Sequence, residues 1–305
     1  MMKKLLKGFA APMALLALPA TAYAQAAPAP AAAATKDADP AIWVVKDADT
    51  TIYLFGTVHV LKPGLSWFDE AVKTAFDKSD TVVLEMLEPD AATMQGLIMK
   101  TALAPATDPA LTAKLPEASR APYAAALADL GMPAAALDRF EPWFAAMTLS
   151  IAPLQKLGYD PQSGAERTIT DAAKAGNKEM VGLETAEQQL GYFDTMPADL
   201  QVKYLVSTVN EYKNVGPLLD KMVAKWSAGD PDGLGATMNE EMRKTPEIGK
   251  LLLTERNIRW ADWISARMAK PGTVFVAVGA GHLAGPDSVQ AYLAKHNLKA
   301  ERIQY

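Results

Sequence analysis

The chain has 305 residues, half of them hydrophobic, which is enough apolar mass for one large domain or two small ones and sets general disorder aside. It contains no cysteine, so disulfides, thiolate metal ligands, a cysteine nucleophile and a lipid-modified N-terminal cysteine are all excluded. The net charge of −5 comes without a basic cluster, which argues against nucleic acid as a partner.

At the N-terminus, Lys3, Lys4 and Lys7 precede an apolar stretch from Phe9 to Leu18 and the small-residue site Ala22-Tyr23-Ala24. This is the pattern of a secretory signal peptide over residues 1–24, with cleavage expected after Ala24. The stretch is shorter than the ~20 residues that span a bilayer, and Pro12 interrupts it. An uncleaved anchor is the alternative. Removing the three signal lysines takes the net charge from −5 to −8. Residues 25–40, "QAAPAPAAAATKDADP", read as a flexible Ala/Pro-rich leader, so the folded domain is expected over residues 41–305, its structure beginning near Ile42. The expectation is a periplasmic or secreted protein with no stable membrane insertion after cleavage; the sequence leaves the oligomeric state open.

"AIWVVKDADTTIYLFG" alternates in the β manner around a polar turn, Lys46 to Thr50, and reads as a hairpin. In "SWFDEAVKTAFDKSD", Ser66 is a candidate N-cap, with Phe68, Val72, Ala75 and Phe76 at helical spacing. "TVVLEML" is a short β-branched run carrying Glu85, which makes a strand–helix–strand unit. From about Ala91 to Arg267 the chain is rich in Ala, Leu and Met with helical periodicity, broken by prolines. Inside that region "NKEMVGLET" reads as one more strand, ending at Glu184 and entered through Gly176-Asn177. "KLLLTERNIRWADWISARMA" places Leu251, Ile258, Ala261, Ile264 and Met268 on one helical face. The strand "TVFVAVG", a helix from Pro286 through His296 and a last strand in "KAERIQY" complete an α/β fold, with a central mixed, largely parallel sheet and a large helical layer or insertion.

Two of the three histidines share one context: Gly56-x-x-His59 and Gly279-x-x-His282 each follow a strand. In a largely parallel sheet the carboxyl ends of such strands open on the same side, where α/β folds place ligands. Both imidazoles then converge; taken singly, each is equally read as a hydrogen-bonded loop-edge histidine. Glu85 in "VVLE" and Glu184 in "VGLE" end apolar runs, where a carboxylate needs pairing, hydrogen bonding or metal. Imidazole with carboxylate suits Zn, Mn or Fe, and a glutamate outside the coordination sphere can take a proton from bound water. Arg256 and Asn257 in "TERN" suit a carboxylate or oxyanion, or else Arg256 pairs with Glu255 and Arg259 on the surface. His296, Trp260 and Trp263 read as structural. No Gly-x-Ser-x-Gly, phosphate loop, His-Glu-x-x-His or dinucleotide fingerprint is present.

"YLFGTVHVL", "VVLEM", "VGLETAEQQL", "ERNIRWADWI" and "FVAVGAGHLAGPDSV", in this order, resemble the TraB/GumN family, related to the Tiki metalloproteases, over residues 42–305. The resemblance implies an erythromycin-esterase-like, ChaN-like fold and, from the Tiki relatives, a divalent-metal-dependent protease. It maps Gly56, His59, Glu85, Gly279 and His282 onto the motif positions and Arg256 and Asn257 onto the late helical pair. It adds Gly164 and Glu166, in "SGAER", where relatives carry Gly-x-Asp or Gly-x-Glu. The chain departs from Tiki proteins in carrying a bacterial-type signal in place of a membrane anchor. Taken together, the expectation is a metal-dependent, peptidase-like hydrolase acting on a peptide, protein or small molecule. His59, His282 and Glu85 hold Mn, Co or Zn, Glu184 or Glu166 serves as further ligand or base, and Arg256 with Asn257 clamps the transition state. The alternatives are a metal- or haem-binding or envelope/exopolysaccharide accessory protein, and a metal-free esterase-like hydrolase using His59 and Glu85.

Overall fold

The computed structural model describes residues 35–242 and 245–305; the signal peptide expected at residues 1–24 and most of the leader lie outside the described residues. The strands are β1 (Lys36–Asp37), β2 (Ile42–Lys46), β3 (Thr50–Thr57), β4 (Leu65–Ser66), β5 (Thr81–Met86), β6 (Glu179–Glu184), β7 (Gly272–Gly279) and β8 (Glu301–Arg302). The helices are α1 (Glu70–Lys78), α2 (Ala91–Ala102), α3 (Leu111–Lys114), α4 (Glu117–Asp129), α5 (Pro142–Lys156), α6 (Ala165–Ala175) and α7 (Ala186–Asp194). They continue as α8 (Ala198–Glu211), α9 (Val215–Ser227), α10 (Pro231–Met242), α11 (Pro246–Gly249), α12 (Glu255–Arg267) and α13 (Val289–Lys295).

Six strands form one sheet in the order β6-β5-β7-β3-β2-β8. β6, β5, β7 and β3 run parallel, and β2 is antiparallel to both its neighbours. The β-branched run of β7 is buried from Val274 to Val278, as a strand covered on both faces must be. Alternation sends Phe275 and Ala277 to one core with Phe55, Trp67, Phe76 and Ile169. Val274, Val276 and Val278 face the other core, with Val83, Trp260, Ile264 and Leu293. The helical region builds its own core from Leu111, Tyr123, Leu127, Leu149 and Leu205, the helical layer that the composition implied.

The structure corrects three local expectations. Ordered pairing starts at Lys36, ahead of Ile42: β1 pairs with β4, and Ala38 is buried in the main core. Ser66 belongs to β4 and caps nothing; its hydroxyl donates to Asp69, the residue that precedes α1. Finally, Ile258 is 40% exposed, while Arg256 and Asn257 are buried with Trp260, Ala261 and Ile264. Ala261, Ile264 and Met268 are buried as the spacing predicts; only Ile258 turns outward, and the polar pair Arg256–Asn257 shares the buried side of the helix.

Candidate active site

β3 and β7 pair in register with Thr57 opposite Gly279, so the two Gly-x-x-His units leave the sheet side by side. A Cβ on Gly56 would lie 3.0 Å from the Cα of Ala280, which is why this crossing takes glycine. The segment after β3 is tied to the start of α6: Ala165 N–H donates to Val58 O at 2.9 Å. A Cβ on Gly164 would overlap the carbonyl oxygen of His59. This contact brings Glu166, in the first turn of α6, against β3. Its Oε1 accepts from the Thr57 hydroxyl and lies 2.8 Å from His59 Nδ1.

Glu85, near the end of β5, accepts the Gly279 N–H on Oε1 at 2.7 Å and an Arg256 Nη2 hydrogen bond on Oε2 at 2.6 Å. Glu184, the last residue of β6, receives Arg256 Nε at 3.0 and 3.1 Å and Nη2 at 2.7 Å. Both carboxylates therefore face one pocket, joined by Arg256 and by Gln189 Nε2, which donates to Glu85 Oε2 at 3.2 Å and Glu184 Oε2 at 3.1 Å. Tyr192 OH donates to Glu184 at 3.0 Å and accepts from Arg259 at 2.8 Å.

The turn before α12 places Arg256. Lys250–Thr254 is π-helical, with Glu255 N–H bonded to Lys250 O, and such bulges recur at functional sites. Arg256 Nη1 donates to Leu252 O at 3.2 Å and lies 3.3 Å from His282 Nε2. Asn257 orients His282 from the other side: its Oδ1 is 2.5 Å from Nδ1, and its Nδ2 donates to Asp287 O at 2.6 Å. Asn257 Oδ1 can only accept, so Nδ1 carries the proton and Nε2 faces Arg256 and Glu85 with its lone pair. Trp260, in the core as expected, also walls the site, with its ring 4.3 Å from that of His282. His296 stands apart, paired with Asp262 at 2.9 Å.

The two histidines are electrostatic opposites. The charge of Glu166 raises His59 to about 9 against the opposing cost of desolvation. The His59 side chain is 71% open to water. Burial pushes His282 down to about 3, so it is neutral at pH 7. Burial alone would raise Glu85; His282, Arg256, His59 and the Gly279 N–H overcome it and hold the carboxyl at about 2. For Glu166, too, burial opposes ionisation, and His59 and Thr57 lower its pKa nonetheless. The resting site thus pairs a protonated, accessible imidazole with an ionised glutamate.

Gly279 marks where these groups meet. A Cβ there would lie 3.0 Å from Glu85 Oε1, 3.6 Å from His282 Cδ2 and 3.8 Å from His59 Nε2. The metal implied by the resemblance was tested against this geometry. Among the described residues no three His, Asp or Glu side chains are placed to hold one ion. Arg256 supplies the positive charge instead, occupying Glu85 Oε2, Glu184 and the lone-pair side of His282. As arranged, the donor set does not fit a divalent ion.

The structure brings together the residues that the sequence singles out for the site: Gly56, His59, Glu85, Gly164, Glu166, Glu184, Arg256, Asn257, Gly279 and His282. Thr57, Gln189 and Tyr192 were missed, and Arg259 had been read only as a surface partner of Arg256. Gln189 and Tyr192 sit three apart on the helix that follows Glu184, a spacing that points both along one face.

Residues 41–302 match the TraB/PrgY/gumN family. The chain belongs to that family. YbaP of Escherichia coli (strain K12) is 30% identical over 151 residues, which cover 50% of this chain and 55% of YbaP, and YbaP of Shigella flexneri gives the same figures. The chain spans about half the length of the YbaP proteins it matches. A protein of Treponema pallidum (strain Nichols) is 22% identical over 273 residues, covering 84% of this chain and 80% of its own. All three relatives are described as uncharacterized. No solved structure matches the chain.

Proposed function

We propose that this member of the TraB/PrgY/gumN family is a hydrolase of peptide or related acyl bonds that works with its own acid and base groups. The observation that carries the reading is the placement of His59, braced by Glu166 at 2.8 Å and open to solvent, beside the ionised Glu85 at Gly279. His59 donates a proton to the leaving group, and Glu85 accepts one from the attacking water. Arg256, Gln189 and Glu184 hold Glu85 in place, and Asn257 holds His282. The N-terminal signal pattern supports an exported enzyme. Among the described residues no helix is long and apolar enough to cross a membrane.

A metal-dependent hydrolase is the second reading, favoured by the convergence of His59 Nε2, Glu85 Oε1 and His282 on the space that Gly279 leaves open. It requires Arg256 to withdraw from His282 and Glu85. A panel of peptides and esters, assayed with and without chelator, tests both. The acid–base reading expects turnover that survives chelation and falls about 10²–10⁴-fold in His59→Ala. Turnover abolished by chelator and restored by Mn, Co or Zn selects the metal reading. No turnover on any substrate leaves a binding protein.

A further inference from the structure

The segments that follow His59 and flank Glu166 line a surface cavity of about 360 Å³, within the ~300–1,000 Å³ typical of ligand pockets. Its walls come from these two segments. Leu61, Leu65, Trp67 and Phe68 follow His59, and Ser163 and Thr168 bracket Glu166. Backbone hydrogen bonds tie the segments together: Leu61 N–H to Asp160 O at 3.4 Å and Asp160 N–H to Leu61 O at 3.0 Å. Trp67 is 5% exposed and anchors this wall to the core, stacking on Phe55 at 5.5 Å and meeting Trp226 edge-on at 5.8 Å, while Phe68 is partly exposed. Lys62, the charged residue of the lining, is compensated: Nζ is 2.6 Å from Asp220 and lies over the Tyr159 ring at 4.7 Å. The cavity thus offers a lining that is about half carbon and half polar, with neutral hydroxyls and its one lysine already paired.

We propose that this cavity is the subsite for a large uncharged side chain, aromatic or branched aliphatic, of a polypeptide substrate. The assignment of the cleaved bond rests on the hydrolase reading above; occupancy of the cavity does not. Leu61 is two residues beyond His59, at most about 7 Å of extended chain. A substrate strand crossing His59 covers the same distance in two residues, so a side chain adjacent to the cleaved bond reaches the cavity. Charged side chains would lose hydration against Trp67 and Phe68 with no free counter-charge to meet them.

The test uses the full chain in two arms. In the first, amide chemical shifts are followed on titration with N-acetyl-phenylalaninamide and N-acetyl-alaninamide. The phenylalanine probe is expected to perturb residues 61–68 and 163–168, and the alanine probe to leave them unchanged. In the second, peptide libraries are cleaved by the wild type and by two cavity-filling variants, Thr168→Phe and Leu65→Trp, each first shown to be folded by circular dichroism. The wild type is expected to prefer Phe or Leu over Ala by about 10–100-fold in kcat/KM at one position, and both variants to lose that preference, kcat/KM for the Phe and Leu substrates falling toward that for Ala. Identical responses to the two probes, or a preference unchanged in both folded variants, overturns the subsite. Binding of the phenylalanine probe at these residues, without cleavage of any peptide, retains the subsite and rejects the hydrolase reading.

Discussion

Arg256 holds Glu184 through three hydrogen bonds, Nε to both carboxylate oxygens at 3.0 and 3.1 Å and Nη2 to Oε2 at 2.7 Å, with both side chains buried. Removing one partner of a buried pair strands the other charge without water. Arg256→Ala is expected to lose about 3–5 kcal/mol of stability in urea unfolding. A double-mutant cycle with Glu184→Gln is expected to show coupling of about 1 kcal/mol or more; additive losses would mean that the two groups do not share their charge.

His59 titrates upward and His282 downward, so stability falls on both sides of neutrality. The folded pKa of His59 is raised to about 9, so its contribution is complete below the unfolded value of about 6.5 and is lost as pH rises through about 9. His282 is depressed to about 3, so its contribution is present above about 6.5 and is lost as pH falls toward about 3. Imidazole NMR is expected to show a midpoint for His59 above 6.5 that drops in Glu166→Gln, while His282 stays neutral through pH 5. A His59 midpoint untouched by Glu166→Gln would remove Glu166 as its partner.

Two glycines separate space for chemistry from space for folding. A Cβ on Gly279 would press on Glu85 Oε1, a side-chain atom, at 3.0 Å. Gly279→Ala is expected to fold and to lose most turnover. A Cβ on Gly164 would overlap backbone, the carbonyl of His59. Gly164→Ala is expected to cost about 1–3 kcal/mol, as overpacking does. Thermal melts and rate assays on the two variants check the contrast.

Asn257 fixes which nitrogen of His282 carries the proton. In Asn257→Ala the buried Nδ1–H loses its acceptor, at a cost of about 1–3 kcal/mol. Nitrogen-15 spectra are expected to show an Nδ1–H tautomer in the wild type and a mixed population in the variant. An unchanged tautomer would assign the orientation to Trp260 packing alone.

The strands and both Gly-x-x-His units were legible because β-branched runs ending in glycine are local signals. What joins them was not. That Glu85 and Glu184 share a pocket depends on β5 pairing with β6, whose residues lie about a hundred positions apart in the chain. Arg256 admits both a site role and a surface pairing with Glu255 and Arg259 from its spacing alone, and the hydrogen bonds to Glu85 and Glu184 explain why the helix buries it. Gln189 and Tyr192 carry no signal beyond helical spacing. Ser66 had the composition of a cap, yet pairing of β4 with β1, 29 residues away at Leu65 and Lys36, claimed it first.

The central strand has a consequence for how the protein is made. β7 lies between β3 and β5, yet it begins at Gly272, more than 200 residues after Thr50. The β2–β3 hairpin and the helical layer can close early, but the sheet keeps an open slot between β3 and β5 until β7 has been made. Joining such distant segments is the slow step of folding. His59 and Glu85 therefore come together only once β7 has entered between their strands, and a chain truncated before Gly272 lacks the strand that joins them.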